Sequence, residues 1–130
     1  MLEPNKIIDL DEESLQKEVY EFLTTTGNNK KLAKIMSNTK GFCDKGKLEV
    51  KTLRLSELIR IAGPNKEYFE EQKVWDKKIA QMIKSIKSGW EPPALIVWNK
   101  DMTIADGAHR FEALKKLGKK EYACIVWIKN

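Results

Sequence analysis

Apolar residues recur along this chain at two spacings, and the change from one to the other marks out its elements. In the first third the spacing is helical: Leu15, Val19, Phe22 and Leu23 fall on one face. Asp9, with Glu12 three residues on, resembles a capping box at the start of that helix. Gly27 and two asparagines suit the turn that ends it. A shorter helix is expected next, with Leu32, Ile35 and Met36 as its stripe, and "NTKGFCDKGK" reads as a loop. "KLEVKTLRL" then alternates as a strand does. Leu48 and Val50 share one face, and Leu53 and Leu55 follow out of phase, so a bulge or strand end is expected at Thr52. "SELIRIAG" suits a helical turn and the charged "GPNKEYFEEQKV" a loop. Trp75, Ile79, Met82, Ile83 and Ile86 restore the helical period, which Gly89 and the Pro92–Pro93 pair bring to an end. "ALIVW" is a short buried strand, "NKD" a turn, and "MTIA" a returning strand. Phe111, Leu114 and Leu117, with Ala113 beside them, mark a further helix that Gly118 closes. "YACIVWI" is a β-branched run suited to a central strand. Strands alternating with helices predict a mixed α/β layer fold.

Composition narrows the class. The chain has 130 residues, enough for one domain with a real core. It is 42% hydrophobic and 33% charged, as soluble globular proteins are. Its longest apolar runs are too short to span a bilayer, and its acidic N-terminus does not read as a signal peptide. No membrane partner is expected. Cys43 and Cys124 stand far apart with one histidine in the whole chain, so neither a metal site nor a disulfide framework is expected. A reducing cytoplasm is the expected setting. Charge is uneven. Residues 1–45 hold seven lysines against eight acids, and residues 46–130 hold 17 basic residues against 11 acidic. The basic excess favours an anionic partner such as a nucleotide or nucleic acid.

The chemistry gathers in "ADGAHRFEALKKLG". His109 and Arg110 fall in the first turn of the helix that follows Asp106, where the macrodipole disfavours cations. A basic pair suits that place if an anion sits between it and the free N–H groups of the first turn. Gly107 lets the backbone approach such an anion. Arg110 offers a fork of donors for phosphate oxygens, and His109 a neutral or charged donor. Against this stands a plainer account: Asp106 as an N-cap, Gly107 as a turn residue and Arg110 paired with a carboxylate such as Glu112 or Glu121.

The run D-G-x-H-R-x-x-A-L-x-x-L-G, with the preceding helix "DKKIAQMIKSIKSG" and the strands on either side, resembles the ParB/sulfiredoxin-like family over about residues 47–128. The resemblance implies an α+β fold, a small mixed sheet with packed helices. Residues 46–130 would form that domain, and residues 1–45 an added N-terminal helical extension. It also implies a nucleotide phosphate site at Gly107, Ala108, His109 and Arg110, taking ATP or a related nucleotide with Mg²⁺.

Three branches of the family bear on the chemistry. Sulfiredoxins carry a nucleophilic cysteine where this chain has Ala108, so that activity is excluded. Their nucleotide-binding helix positions fall on Lys78, Gln81 and Ser85; Lys78 matches, Ser85 is conservative and Gln81 departs. Free serine kinases carry D-G-H-H-R, which implies Asp106 as the catalytic residue, placing Mg²⁺ or taking a proton in ATP- or ADP-dependent phosphotransfer to a small hydroxyl substrate, or in nucleotide hydrolysis. A loop glutamate would assist, with Glu67, Glu70 and Glu71 as candidates. ParB proteins bind DNA and nucleotide, with E-R-R where this chain has A-H-R. The chain ends at Asn130 directly after the last strand, so no downstream helix-turn-helix domain is expected. Nor is there a carboxylate cluster of the kind that holds two nuclease metals. Two alternatives therefore stand beside a nucleotide-binding enzyme. One is a DNA-associated ParB-like binding or nuclease-type protein; the other is a protein-interaction module with a vestigial phosphate site. The four tryptophans, at 75, 90, 98 and 127, could stack on bases; three of them fall on helix or strand positions and suit the core instead.

Overall fold

A computed structural model describes residues 2–38, 41–42 and 46–129. Three helices come first: α1 (Pro4–Ile7), α2 (Glu12–Thr24) and α3 (Lys30–Ile35). Two two-residue strands follow, β1 (Ser37–Asn38) and β2 (Gly41–Phe42). The long strand β3 (Gly46–Arg54) runs into a 3₁₀ turn at Leu55–Glu57. A short parallel pair, β4 (Ala62–Gly63) and β5 (Tyr68–Phe69), leads to α4 (Gln72–Lys87). The rest is β6 (Leu95–Trp98), β7 (Thr103–Asp106), α5 (Ala108–Lys116) and β8 (Glu121–Lys129).

The main sheet has four strands in the order β3-β8-β6-β7. β8 pairs antiparallel with β3 and parallel with β6, so the sheet is mixed and β8 is internal. That placement explains its unbroken apolar run. Cys124 packs on one face of the sheet, Ile125 and Trp127 on the other. Burial pushes the Cys124 thiol up to about 12, so it behaves as a buried hydrophobe. The fold is α+β, as expected.

Each face of the sheet has its own cover. Leu15, Val19, Phe22, Leu23, Leu32 and Met36 of the N-terminal helices pack against Leu48, Ile96, Ile125 and Trp127. Phe111 and Leu114 of α5 cover the other face, over Leu55, Leu95, Val97 and Cys124. α4 lies against α5 through Trp75, Ile79, Ala108 and Ala113. The helices of residues 2–36 thus share one core with the sheet of the segment 46–129. Cys43 and the rest of residues 43–45 lie outside the described residues.

Several local expectations need correction. The cap of α2 is Asp11, which accepts from the Ser14 N–H at 2.8 Å, rather than Asp9. No bulge interrupts β3 at Thr52: its register with β8 is continuous from Gly46 to Arg54. The shift of phase has another cause. Leu48 and Val50 meet the N-terminal helices, while Leu53 and Leu55 meet the opposite cover. A strand covered on both faces can change its apolar phase without changing its geometry. α4 starts at Gln72, earlier than its apolar stripe, and the segment before it contains β4 and β5. Leu32 and Met36 are buried as expected, but Ile35 is 55% exposed. Trp75 and Trp127 are buried and Trp98 is half-buried, whereas Trp90 is exposed.

Candidate functional site

β7 ends at Asp106, and a bulge aims that residue. Ile96 of β6 is paired with Asp106 and Val97 with Ile104, so Ala105 is an extra residue on β7. Cross-strand partners share a face. The bulge therefore turns Asp106 to the side of Ile96, where the N-terminal helices lie. Asn29 is waiting there. Its side-chain oxygen caps α3 by accepting from the Leu32 N–H at 3.2 Å, and its Nδ2 donates to Asp106 Oδ1 at 2.8 Å.

Gly107 makes the turn from β7 into α5. Its φ of 111° is a conformation that side chains disfavour. A Cβ there would also stand 2.8 Å from Leu95 Cδ2 and 2.9 Å from Arg110 Nη2. Gly107 has no side chain with which to cap, so the leading N–H groups of α5 receive no side-chain acceptor.

His109 and Arg110 then diverge. Arg110 turns inward and is 8% exposed. Its Nη2 donates to Ala94 O at 3.0 Å and to Asp106 Oδ2 at 3.3 Å, and its guanidinium lies 5.4 Å from the Phe22 ring centre. Its Nε has no hydrogen-bond partner. His109 turns outward. Its Nε2 meets Glu70 Oε1 at 2.7 Å, and its ring lies 4.7 Å from the Trp75 ring, tilted by 38°. Glu70 Oε2 accepts from Lys78 Nζ at 2.7 Å. Burial raises the Glu70 carboxyl, but the hydrogen bonds from Lys78 and His109 outweigh burial and hold it below its ordinary value.

A cavity of about 420 Å³ opens over this turn. Asp106, Gly107, Ala108 and His109 line one side of it. Trp98, Trp127, Ile61 and Tyr68 make apolar walls, and Asn29, Lys31, Leu32 and Ile35 close it from the N-terminal segment. Lys31 Nζ stands 5.5 Å from the Tyr68 ring centre. The cavity thus joins apolar walls to a helix N-terminus whose N–H groups and macrodipole favour an anion. Among the described residues no group of three or more His, Cys, Asp or Glu side chains is placed to hold a metal ion. Among them, too, no helix is long and apolar enough to cross a membrane.

Solved structures similar to this chain include a Pnob8-like ParB-N domain, at 18% identity and a TM-score of 0.44. That match covers 62% of this chain and 29% of the other. A conserved hypothetical protein from Pyrococcus furiosus matches at 20% identity and a TM-score of 0.47, over 60% of this chain and 32% of its own. Sulfiredoxin from Arabidopsis thaliana matches at 22% identity and a TM-score of 0.46, over 60% and 83%. The chain spans about a third of the length of the first two. No family model matches it, and no curated protein does.

The motif residues from Asp106 to Arg110 are contiguous, but only Asp106 to His109 line the cavity. Lys78 joins them through Glu70. Ser85 does not: it sits in the last turn of α4, where its carbonyl accepts from the Ser88 and Trp90 N–H groups. Of the three candidate loop glutamates, Glu70 alone has bonds to His109 and Lys78; Glu67 and Glu71 are exposed. Asn29, Lys31 and Tyr68 had no local signal. Their part in the cavity comes from packing between segments far apart in the chain.

Proposed function

We propose that this chain binds a nucleotide, ATP or a relative, with its phosphates at the N-terminus of α5 and its base among the apolar walls. One observation carries this reading: an uncapped helix N-terminus, entered through a positive-φ glycine, faces a cavity of about 420 Å³ beside a histidine and a lysine. Backbone N–H groups and the macrodipole favour an anion there. The D-G-x-H-R resemblance to the ParB/sulfiredoxin-like family supports the same ligand. Within this reading Arg110 acts from behind the site. It pairs with Asp106 and fastens the α5 turn to the Ala94 carbonyl, while Lys31 supplies side-chain charge and His109 a ring nitrogen at the cavity.

Mg²⁺ fits the residues less well. Both Asp106 oxygens already accept hydrogen bonds, one of them from a guanidinium. Such a carboxylate has fewer free lone pairs to offer a divalent cation. The proposal is therefore nucleotide binding, with no step through a metal.

A polyanion has an observation of its own in its favour. At the other end of α5, Arg54, Lys115, Lys119 and Lys120 line a second cleft of about 440 Å³, with Glu121 as the acidic residue among them. Nucleic acid held there would dissociate steeply with salt, by about one power of salt concentration per phosphate contact.

Calorimetric titration of ATP, ADP and CTP, with and without Mg²⁺, into wild type and His109→Ala tests the first reading. Binding to wild type that weakens about tenfold or more in the variant supports it. Wild type that takes up no nucleotide at millimolar concentration overturns it.

A further inference from the structure

We infer that Lys78 and His109 form an anion site which the protein itself fills with Glu70, so that a ligand phosphate must displace this carboxylate to reach them. The inference rests on the nucleotide reading above and adds a built-in competitor to it.

The contact has the form of an anion seated in a receptor. Both Glu70 oxygens are used, one on the His109 ring nitrogen and one on the Lys78 ammonium, each at 2.7 Å. The partners differ in how they are held. Lys78 and His109 stand on helices α4 and α5, which pack through Trp75, Ile79, Ala108 and Ala113. The His109 ring is backed by Trp75, which is 4% exposed and carries the Arg60 guanidinium 4.5 Å from its ring centre. Glu70 stands on the connection between the 3₁₀ turn and α4. Regular pairing there is limited to the two-residue β4–β5 ladder, and the connection passes through positive φ at Gly63 and Asn65. Of its aromatic residues Phe69 is 70% exposed, while Tyr68, 49% exposed, is held by its N–H on Ile61 O at 3.0 Å and by Lys31 over its ring. Glu70, whose own N–H bonds Gly63 O at 3.3 Å, is the anionic member of the contact and the one that another anion can replace on the two helices.

Two consequences follow for a ligand. While Glu70 is seated, it occupies the His109 ring nitrogen and offsets the Lys78 charge, and an incoming phosphate meets partners already engaged. Tyr68, two residues before Glu70, lines the cavity. Movement of Glu70 is therefore linked along the chain to a residue of the cavity wall. The contact is an autoinhibitory latch that a phosphate opens by exchange of one anion for another.

Glu70→Gln keeps the shape of the side chain and removes its charge. ATP titrated into wild type, Glu70→Gln and the double variant Glu70→Gln/Lys78→Ala reads the competition directly. The expected result is binding to Glu70→Gln tighter than to wild type by at least about tenfold, the size set by a charge-assisted hydrogen bond. Most of that gain should vanish in the double variant. A wild type that binds ATP, beside a Glu70→Gln that binds equally or more weakly, overturns the latch and leaves the nucleotide reading standing. Absence of binding to both proteins overturns the two together. Amide hydrogen exchange on the wild-type chain gives a check that needs no variant. ATP should speed exchange at residues 68–70, and unchanged or slower exchange there contradicts the latch.

Discussion

His109 and Arg110 are neighbours in sequence and opposites in surroundings. Arg110 belongs to a buried network that ties the Ala94 carbonyl, Asp106 and, through Asp106, Asn29 of the N-terminal segment to one turn of backbone. His109 belongs to a half-exposed network with Glu70 and Lys78 at the cavity edge. Two basic residues in a row look like one phosphate-binding device on paper. In the folded chain one builds the turn and the other faces the cavity. The difference shows that a motif can divide its residues between holding a site and serving it, and burial decides which does which.

Removing Arg110 should have the largest effect on stability. Arg110→Ala leaves the part-buried Asp106 without its cation and the Ala94 carbonyl without its donor. Urea unfolding should show a loss of about 3–5 kcal/mol. A loss under about 1 kcal/mol would mean the inward network is dispensable and would erase the contrast. Gly107→Ala comes next, at about 1–3 kcal/mol, from a positive φ and a methyl group 2.8 Å from Leu95. Asn29→Ala removes the α3 cap and one Asp106 bond together, for about 1–2 kcal/mol by the same measurement. His109→Ala should cost about 1 kcal/mol or less, since its contacts are half-exposed. Its effect should appear in nucleotide titration instead.

The smallest effect is one of pH. The Glu70 carboxyl is held below its ordinary value of 4.5 in the folded chain. Its contribution to stability is therefore present above that value and is lost as pH falls through the lower folded value. Thermal melts from pH 6 down to pH 3 should fall less steeply in Glu70→Gln than in wild type. Parallel curves would show that the Glu70 contact adds nothing to the fold.

The elements themselves were largely legible from spacing. Leu15, Val19, Phe22 and Leu23, the stripe from Trp75 to Ile86, and the apolar runs of β6 and β8 each carry a period strong enough to stand without tertiary context. The errors came where tertiary structure sets the answer. A bulge or strand end was expected at Thr52, where the chain only exchanges one covered face for the other, and no bulge was expected at Ala105, where the register slips. Asp11 rather than Asp9 caps α2, a choice between two acids two residues apart. Within the site, Asp106, Gly107 and His109 stood out by their place at a helix start. That Arg110 would face inward depended on Phe22 and Ala94, and the choice among Glu67, Glu70 and Glu71 depended on where α4 brings Lys78. Neither dependence has a local spacing to betray it.

The central claim is that a nucleotide phosphate sits on the His109 side of this turn. The most direct test is a ¹⁵N chemical-shift titration of the wild-type chain with ATP, following the amides of residues 107–109 and the ring of His109, the one histidine in the sequence. The account predicts saturable shifts at those groups and at Lys31 and Tyr68, with Arg54, Lys119 and Lys120 unmoved. Shifts confined to Arg54, Lys119 and Lys120, or none at all at millimolar ATP, would contradict it.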